Sequence, residues 1–261
     1  MKFNPIGKIA KMKLKIVSYI CCLFTFLQFS KSEAKQLSKW RELLKQKSDC
    51  VTWVSLTMKI DVSAGGRSLP PQEQKLEALG TIIAPDGLTV MSLTTVDPKS
   101  KILARLRTNS ASVQVNYTDV FILKPDGTEI PAKVLLKDAD LDLAFLLPLE
   151  SNGSSFPVFC KPNGKVTNLE VLDDVVSMSK LGKNLYRQSI LRKGYVNATI
   201  IKPRTYFIIE NSSPGTPVFN QTGNWLGVSV YKMERGQPSS LVTLPASDIL
   251  EIADQVRSRV K

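Results

Sequence analysis

The sequence predicts an all-β protein, a sandwich or barrel of short strands in two units, with a short α-helix near each end. Three observations predict it. After residue 50 the apolar residues gather into runs of about 5–10, rich in Val, Ile, Leu and Thr, which suit strands rather than helices. Turn chemistry separates these runs at intervals of about 8–12 residues, the spacing of a sandwich or barrel. The tripeptide Pro-Asp-Gly stands twice, at 85–87 and 125–127. Each copy pairs a proline that presets φ with a glycine that accepts positive φ, as a tight hairpin requires.

Taken in order, Lys2, Lys8, Lys11, Lys13 and Lys15 precede an apolar run of 14 residues, 16–29, and Ser32-Glu33-Ala34 offers a small-x-small cleavage site. This reads as a secretory signal peptide over 1–34, because a spanning helix needs about 20 apolar residues. Cys21 and Cys22 lie inside the apolar run, which argues against a lipoprotein cysteine. The chain is therefore expected to be exported and to work in a periplasmic or extracellular location. Leu37, Trp40, Leu43 and Leu44 recur at helical spacing over 35–47, within an N-terminal unit 35–49.

The first barrel, residues 50–150, is read from strand-like runs at 51–60, 77–84, 88–94, 101–106, 112–117, 120–123, 130–136 and 143–147. Gly65–Gln74 is read as a surface loop, and 150–155 as a small, polar linker. The second barrel with its closing helix, 151–261, carries runs at 169–178, 189–191, 195–201, 206–210, 225–231 and 241–244. For the final helix Ser247 is the predicted cap, with Asp248 and Glu251 near its positive end and Ile249, Ile252, Ala253, Val256 and Val260 on one face.

Composition narrows the chemistry. With 43% hydrophobic and 22% charged residues the chain supports an ordinary core, which excludes collagenous, disordered and multi-span membrane classes. Histidine is absent. That removes every Ser-His-Asp or Cys-His mechanism, every imidazole-ligated zinc site and any histidine pH switch. Residues 1–34 hold six lysines and one glutamate, so their removal lowers the formal charge from +12 to +7. The basic residues are scattered without aromatic interleaving, so a solvated basic surface is expected and nucleic acid is not; association with an anionic membrane surface stays open. Cys50 and Cys160 remain after processing: one disulfide in an oxidising compartment, or two small core residues. No metal-ligand spacing or cofactor motif is present. Trp53 and Trp225 sit in apolar runs as core anchors, while Trp40 either packs inward or marks a partner surface. Asn116, Asn152, Asn197 and Asn220 begin glycosylation-type tripeptides.

The order of the pieces carries a resemblance. Gly80-Thr-Ile-Ile-Ala-Pro-Asp-Gly87 with Leu88–Val96, then 126–134 and Asp138-Ala-Asp-Leu-Asp142-Leu-Ala-Phe-Leu146, resemble HtrA-type, trypsin-like serine proteases around the catalytic histidine and aspartate. Phe156-Pro-Val158 and 169–178 resemble the entry to that family's second barrel. Phe207–Val218 and Gly223-Asn-Trp-Leu-Gly-Val228 resemble its nucleophile loop and the strand after it. The match spans roughly 50–250, and the resemblance implies that family's fold: two six-stranded-type antiparallel β-barrels, a trypsin-like double barrel, with short N-terminal and C-terminal α-helices. It implies a failed enzyme. The family's general base falls on Thr94, which takes no proton from a serine near neutral pH. Its aspartate falls on Asp142, and its nucleophile on Pro214, which has neither a hydroxyl nor the backbone N–H that donates to the oxyanion in the family. The shortened run from Phe207 to Pro214 implies an incomplete specificity pocket, and the PDZ domain usual in active members is expected to be missing. The resemblance therefore implies a pseudoprotease that binds a peptide or protein partner, of identity the sequence does not name. Two alternatives stand beside it: an endopeptidase with a non-histidine dyad using Ser212 or Ser213, and an envelope-associated scaffold.

Overall fold

The structure, a computed structural model, describes residues 34–106, 110–149, 156–162 and 169–258. The predicted leader up to residue 33, with Cys21 and Cys22, the predicted linker 150–155 and Asn152 lie outside the described residues. By contacts the chain divides into a unit ending at Glu42 and a unit from Leu43 onward that holds every described strand. Helix α1 covers residues 34–47, one residue earlier than its apolar spacing predicts, and Trp40 on it is buried.

The first barrel is built from β1 (Val51–Ala64), β3 (Gln72–Ile82), β4 (Thr89–Ser92), β5 (Ser112–Leu123), β6 (Glu129–Asp138) and β7 (Leu143–Pro148). A two-residue strand, β2 (Arg67–Ser68), folds back on the end of β1. The strands run β1-β3-β4-β7-β6-β5, and β5 closes the ring onto β1. The second barrel contains β8 (Asp174–Lys180), β9 (Ser189–Ile200), β10 (Tyr206–Ile209), β11 (Pro217–Asn220), β12 (Trp225–Glu234) and β13 (Gln237–Pro245). It closes in the order β8-β9-β10-β13-β12-β11. Counted from the first strand of each barrel, the two orders are the same, and the strand pairings among the described residues are antiparallel.

Alternation places the cores. Val54, Leu56, Ile82, Met91, Ile122 and Leu146 fill the first barrel; Val175, Val196, Phe207, Val218 and Leu226 fill the second. Each such side chain contributes about 1.5–3 kcal/mol on leaving water. Both Pro-Asp-Gly turns form as expected: Gly87 and Gly127 take φ of 83° and 86°, and Asp86 and Asp126 accept the amides of Leu88 and Thr128. Trp225 is buried with its indole N–H on the Gly227 carbonyl (2.8 Å), whereas Trp53 is half-buried and donates to Leu181 O (3.0 Å), tying β1 to the end of β8.

Several expectations are corrected. Residues 101–106 are helical, not extended: α2 (Lys99–Leu106) follows Pro98, with Asp97 Oδ1 accepting the Lys99 amide at 3.0 Å. Its Ile102, Leu103 and Leu106 pack against Met58, Ile60 and Val113, so these apolar residues form a helical stripe rather than a strand. The gap read between 117 and 120 is a β-bulge within one strand, since Asp119 pairs with Thr57 and Tyr117 with Met58. The gap at 192–194 also disappears into β9. Gly194 continues the strand because a Cβ there would stand 2.2 Å from Glu210 O. The short β11 was hidden in the loop-like stretch after Pro214. Gly65–Gln74 is exposed throughout, as a surface loop is, but Arg67–Ser68 and 72–74 within it are strand, in β2 and the start of β3. The closing helix α3 (Ala246–Ser258) starts one residue before Ser247, whose hydroxyl lies 3.2 Å from Asp248 Oδ1 instead of capping. Asn220 uses its side-chain oxygen to hold the β11–β12 turn, accepting from the amides of Thr222 and Asn224.

Candidate functional site

Thr94 and Asp142 meet in the structure. Asp142 follows a turn in which Asp138 Oδ1 accepts the amides of Asp140 and Leu141, and it sits at φ 57°, a left-handed conformation that aspartate tolerates better than most residues. The turn drives its side chain inward, where it is 1% exposed. Oδ1 accepts the Thr94 amide at 2.6 Å; Oδ2 accepts the Ser92 hydroxyl at 2.5 Å and the Tyr231 amide at 2.7 Å. Ser92 and Thr94 belong to the first barrel and Tyr231 to β12 of the second. One carboxylate therefore joins the barrels through three charge-assisted hydrogen bonds. The Thr94 hydroxyl is turned to Met233 Sδ, 3.9 Å away.

Pro214 is half-buried in the loop between β10 and β11, beside this junction. Gly215, at φ 77°, presses on the first barrel so closely that a Cβ there would lie 2.2 Å from Leu79 O and 3.7 Å from Ser92 N. Its carbonyl accepts from Thr81 Oγ1 (2.8 Å), and its N–H is engaged by Ser229 O (2.7 Å). Buried Thr216 closes the loop through its hydroxyl on Ser213 O (2.6 Å). The loop is thus pinned from both barrels, and the first amide after Pro214 is already spent inward.

Neither serine of that loop has a base. Ser213 Oγ accepts from Arg192 Nη1 at 2.9 Å, and Ser212 Oγ donates to Ile209 O at 3.3 Å. An arginine only donates, so it cannot take a proton from Ser213. Cys160 lies elsewhere, its thiol donating to Cys50 Sγ at 3.2 Å; both residues are fully buried and both are free thiols. Burial, with Cys50 alongside, pushes the Cys160 thiol well above its ordinary range, the reverse of what a nucleophile needs. Among the described residues no group of His, Cys, Asp and Glu is arranged to hold a metal ion.

Beside Asp142 opens a cavity of about 410 Å³. Leu93, Leu103 and Met233 give it apolar walls, and Asp97, Lys99 and Arg235 charge its rim. Ser92, Tyr231, Thr81 and Met233 were not singled out by sequence. Tyr231 contributes through its amide, which no side-chain pattern announces; Ser92 lies two residues before Thr94 and is legible only once a strand order brings β4 beside β12. The class this defines is a double antiparallel barrel whose halves are joined at a buried acid. No protein-family model matches the chain, and no curated protein matches it in sequence.

Proposed function

We propose that the protein is an exported pseudoprotease, similar in build to trypsin-like serine proteases, that holds a peptide or protein partner in the cleft beside Asp142 without cleaving it. The observation carrying this reading is the pairing of a saturated acid with a proline. Asp142 accepts its three donors from Ser92, Thr94 and Tyr231 and orients no base, while Pro214 offers neither nucleophile nor N–H. In a triad enzyme, loss of the base or nucleophile alone costs about a millionfold in kcat, and a missing oxyanion donor costs about a hundredfold or more. Binding needs none of these groups. It needs a preformed concave surface with apolar walls and a few polar contacts, which the cavity beside Asp142 supplies.

The test has two arms. Mature protein incubated with unfolded casein and a fluorophosphonate probe is expected to give no turnover and no adduct on Ser212 or Ser213. On an array of defined peptides, L103E and M233E are expected to weaken binding about tenfold or more, as loss of buried apolar anchors does. An adduct or casein fragments would establish the non-histidine endopeptidase instead. Peptide binding untouched by both cleft variants would favour a scaffold acting through other surfaces.

A further inference from the structure

The first barrel is closed, but at one seam two long strands, β5 and β6, are zipped for only three residue pairs. β5 is paired with β1 along its whole length, from Ser112 opposite Ser63 to Leu123 opposite Trp53. On its other edge β5 meets β6 only at Phe121–Leu123, opposite Pro131, Ile130 and Glu129. β6 in turn is paired with β7 from Ala132 to Asp138. Among the described residues, the facing edges of 112–120 and 132–138 therefore carry no strand partner. Between them runs an open groove of about 580 Å³. Its walls include half-buried Val115, Tyr117, Val134 and Leu136, and its lining charges are Lys133 and Lys137, with no carboxylate.

We propose that this groove takes an extended, acidic peptide segment with apolar residues at alternate positions, added as a strand antiparallel to β5. The groove shares no lining residue with the cleft beside Asp142, which it adjoins through the contact of Lys137 with Asp97. A free strand edge presents N–H and C=O groups at every second residue, a spacing that another extended backbone matches along its length. β5 is the better template of the two. Its register with β1 is regular from Ser112 to Tyr117, whereas β6 carries an irregularity between Val134 and Leu136 that breaks the even spacing of its edge groups. About eight residues cover the roughly 27 Å of free edge along 112–120 at 3.4 Å per residue. Alternate side chains of such a segment face Val115, Tyr117 and Leu136, and the others reach Lys133 and Lys137. Lys137 already contacts Asp97 at 3.2 Å, so Lys133 supplies the unshared positive charge.

The probe is an end-capped, fluorescein-labelled octapeptide alternating valine with glutamate or aspartate. Fluorescence anisotropy is expected to show saturable 1:1 binding, and hydrogen exchange is expected to slow at amides of 112–119. Exchanging the acidic residues for lysine, or N-methylating every second amide, is expected to weaken binding about tenfold or more, since both charge and edge pairing are then lost. K133E is expected to reverse the preference between acidic and basic peptides, and M233E in the cleft to leave it intact. No saturable binding, equal binding of the N-methylated peptide, or protection confined to 231–237 would each overturn the proposal. The last result would place the peptide in the cleft.

Discussion

The two barrels repeat one strand order, yet their connections differ. In the first, the segment after β4 turns through Thr94 and continues into α2, and the turn between β6 and β7 delivers Asp142 to the interior. In the second, the segment after β10 is a tight loop clamped by Thr216 and Ser229, and the equivalent β12–β13 connection is an exposed hairpin. Ordering the strands requires only alternating apolar residues and competent turns, which both halves have. The chemistry of the junction depends on single residues in the connections, where a proline or a threonine leaves the barrels intact. In a scaffold of this kind the chemistry of the connections can change while the fold stays the same.

Oxidation should divide the barrels most sharply. Cys50 stands just before β1, and Cys160 sits in the segment before the second barrel with its amide on Ile82 O (2.8 Å). A disulfide between residues 110 apart stabilises by about 4–5 kcal/mol in the chain-entropy account. Hydrogen exchange after treatment with a thiol oxidant should therefore show greater added protection in 51–148 than in 174–245, with a mass loss of two hydrogens; equal protection in both would show that the barrels unfold as one.

G215A comes next. Its Cβ meets Leu79 O, and its φ is positive, so a loss of about 3–4 kcal/mol is expected in urea unfolding. G127A supplies the control: its φ is also positive but the space around it is open, and about 1 kcal/mol should be lost. D142N should cost about 3 kcal/mol, because an amide group turns a donor toward the Ser92 hydroxyl and Tyr231 amide, while S92A, removing one bond of three, should cost about 1 kcal/mol. A D142N chain as stable as the parent would mean that the barrels do not depend on this acid.

The smallest effect concerns Lys180 at the end of β8. Burial holds its ammonium below the usual 10.5, against the opposing pull of Asp49 at 3.7 Å. The unfolded chain then binds the proton more tightly than the folded one. Stability should rise as pH climbs from the folded value toward 10.5 and stay level below that window. K180M should remove this alkaline rise and gain slightly at neutral pH, read as Tm against pH.

Much of the fold was readable in sequence because alternation and Pro-Asp-Gly turns are local signals. The misreadings share a cause. Ile102, Leu103 and Leu106 form too short a stripe to separate a helix from a strand without knowing that Met58 and Val113 await it. Gly194 and the Thr118 bulge look like breaks until the partner strand is known. At the site, Thr94, Asp142 and Pro214 were legible as residue types, and the structure brings Thr94 onto Asp142 and seats the Pro214 loop against Ser92. Their partners were not legible, since the Tyr231 amide, the Gly215 carbonyl and the Ser229 carbonyl are groups that every sequence contains.

Because the second barrel grips Asp142 through the main chain of residue 231, that contact is insensitive to which side chain stands there. Drift at 231 can change the side chain that β12 presents there while the seam between the halves holds; only proline, which has no hydrogen to give, would cut the tie.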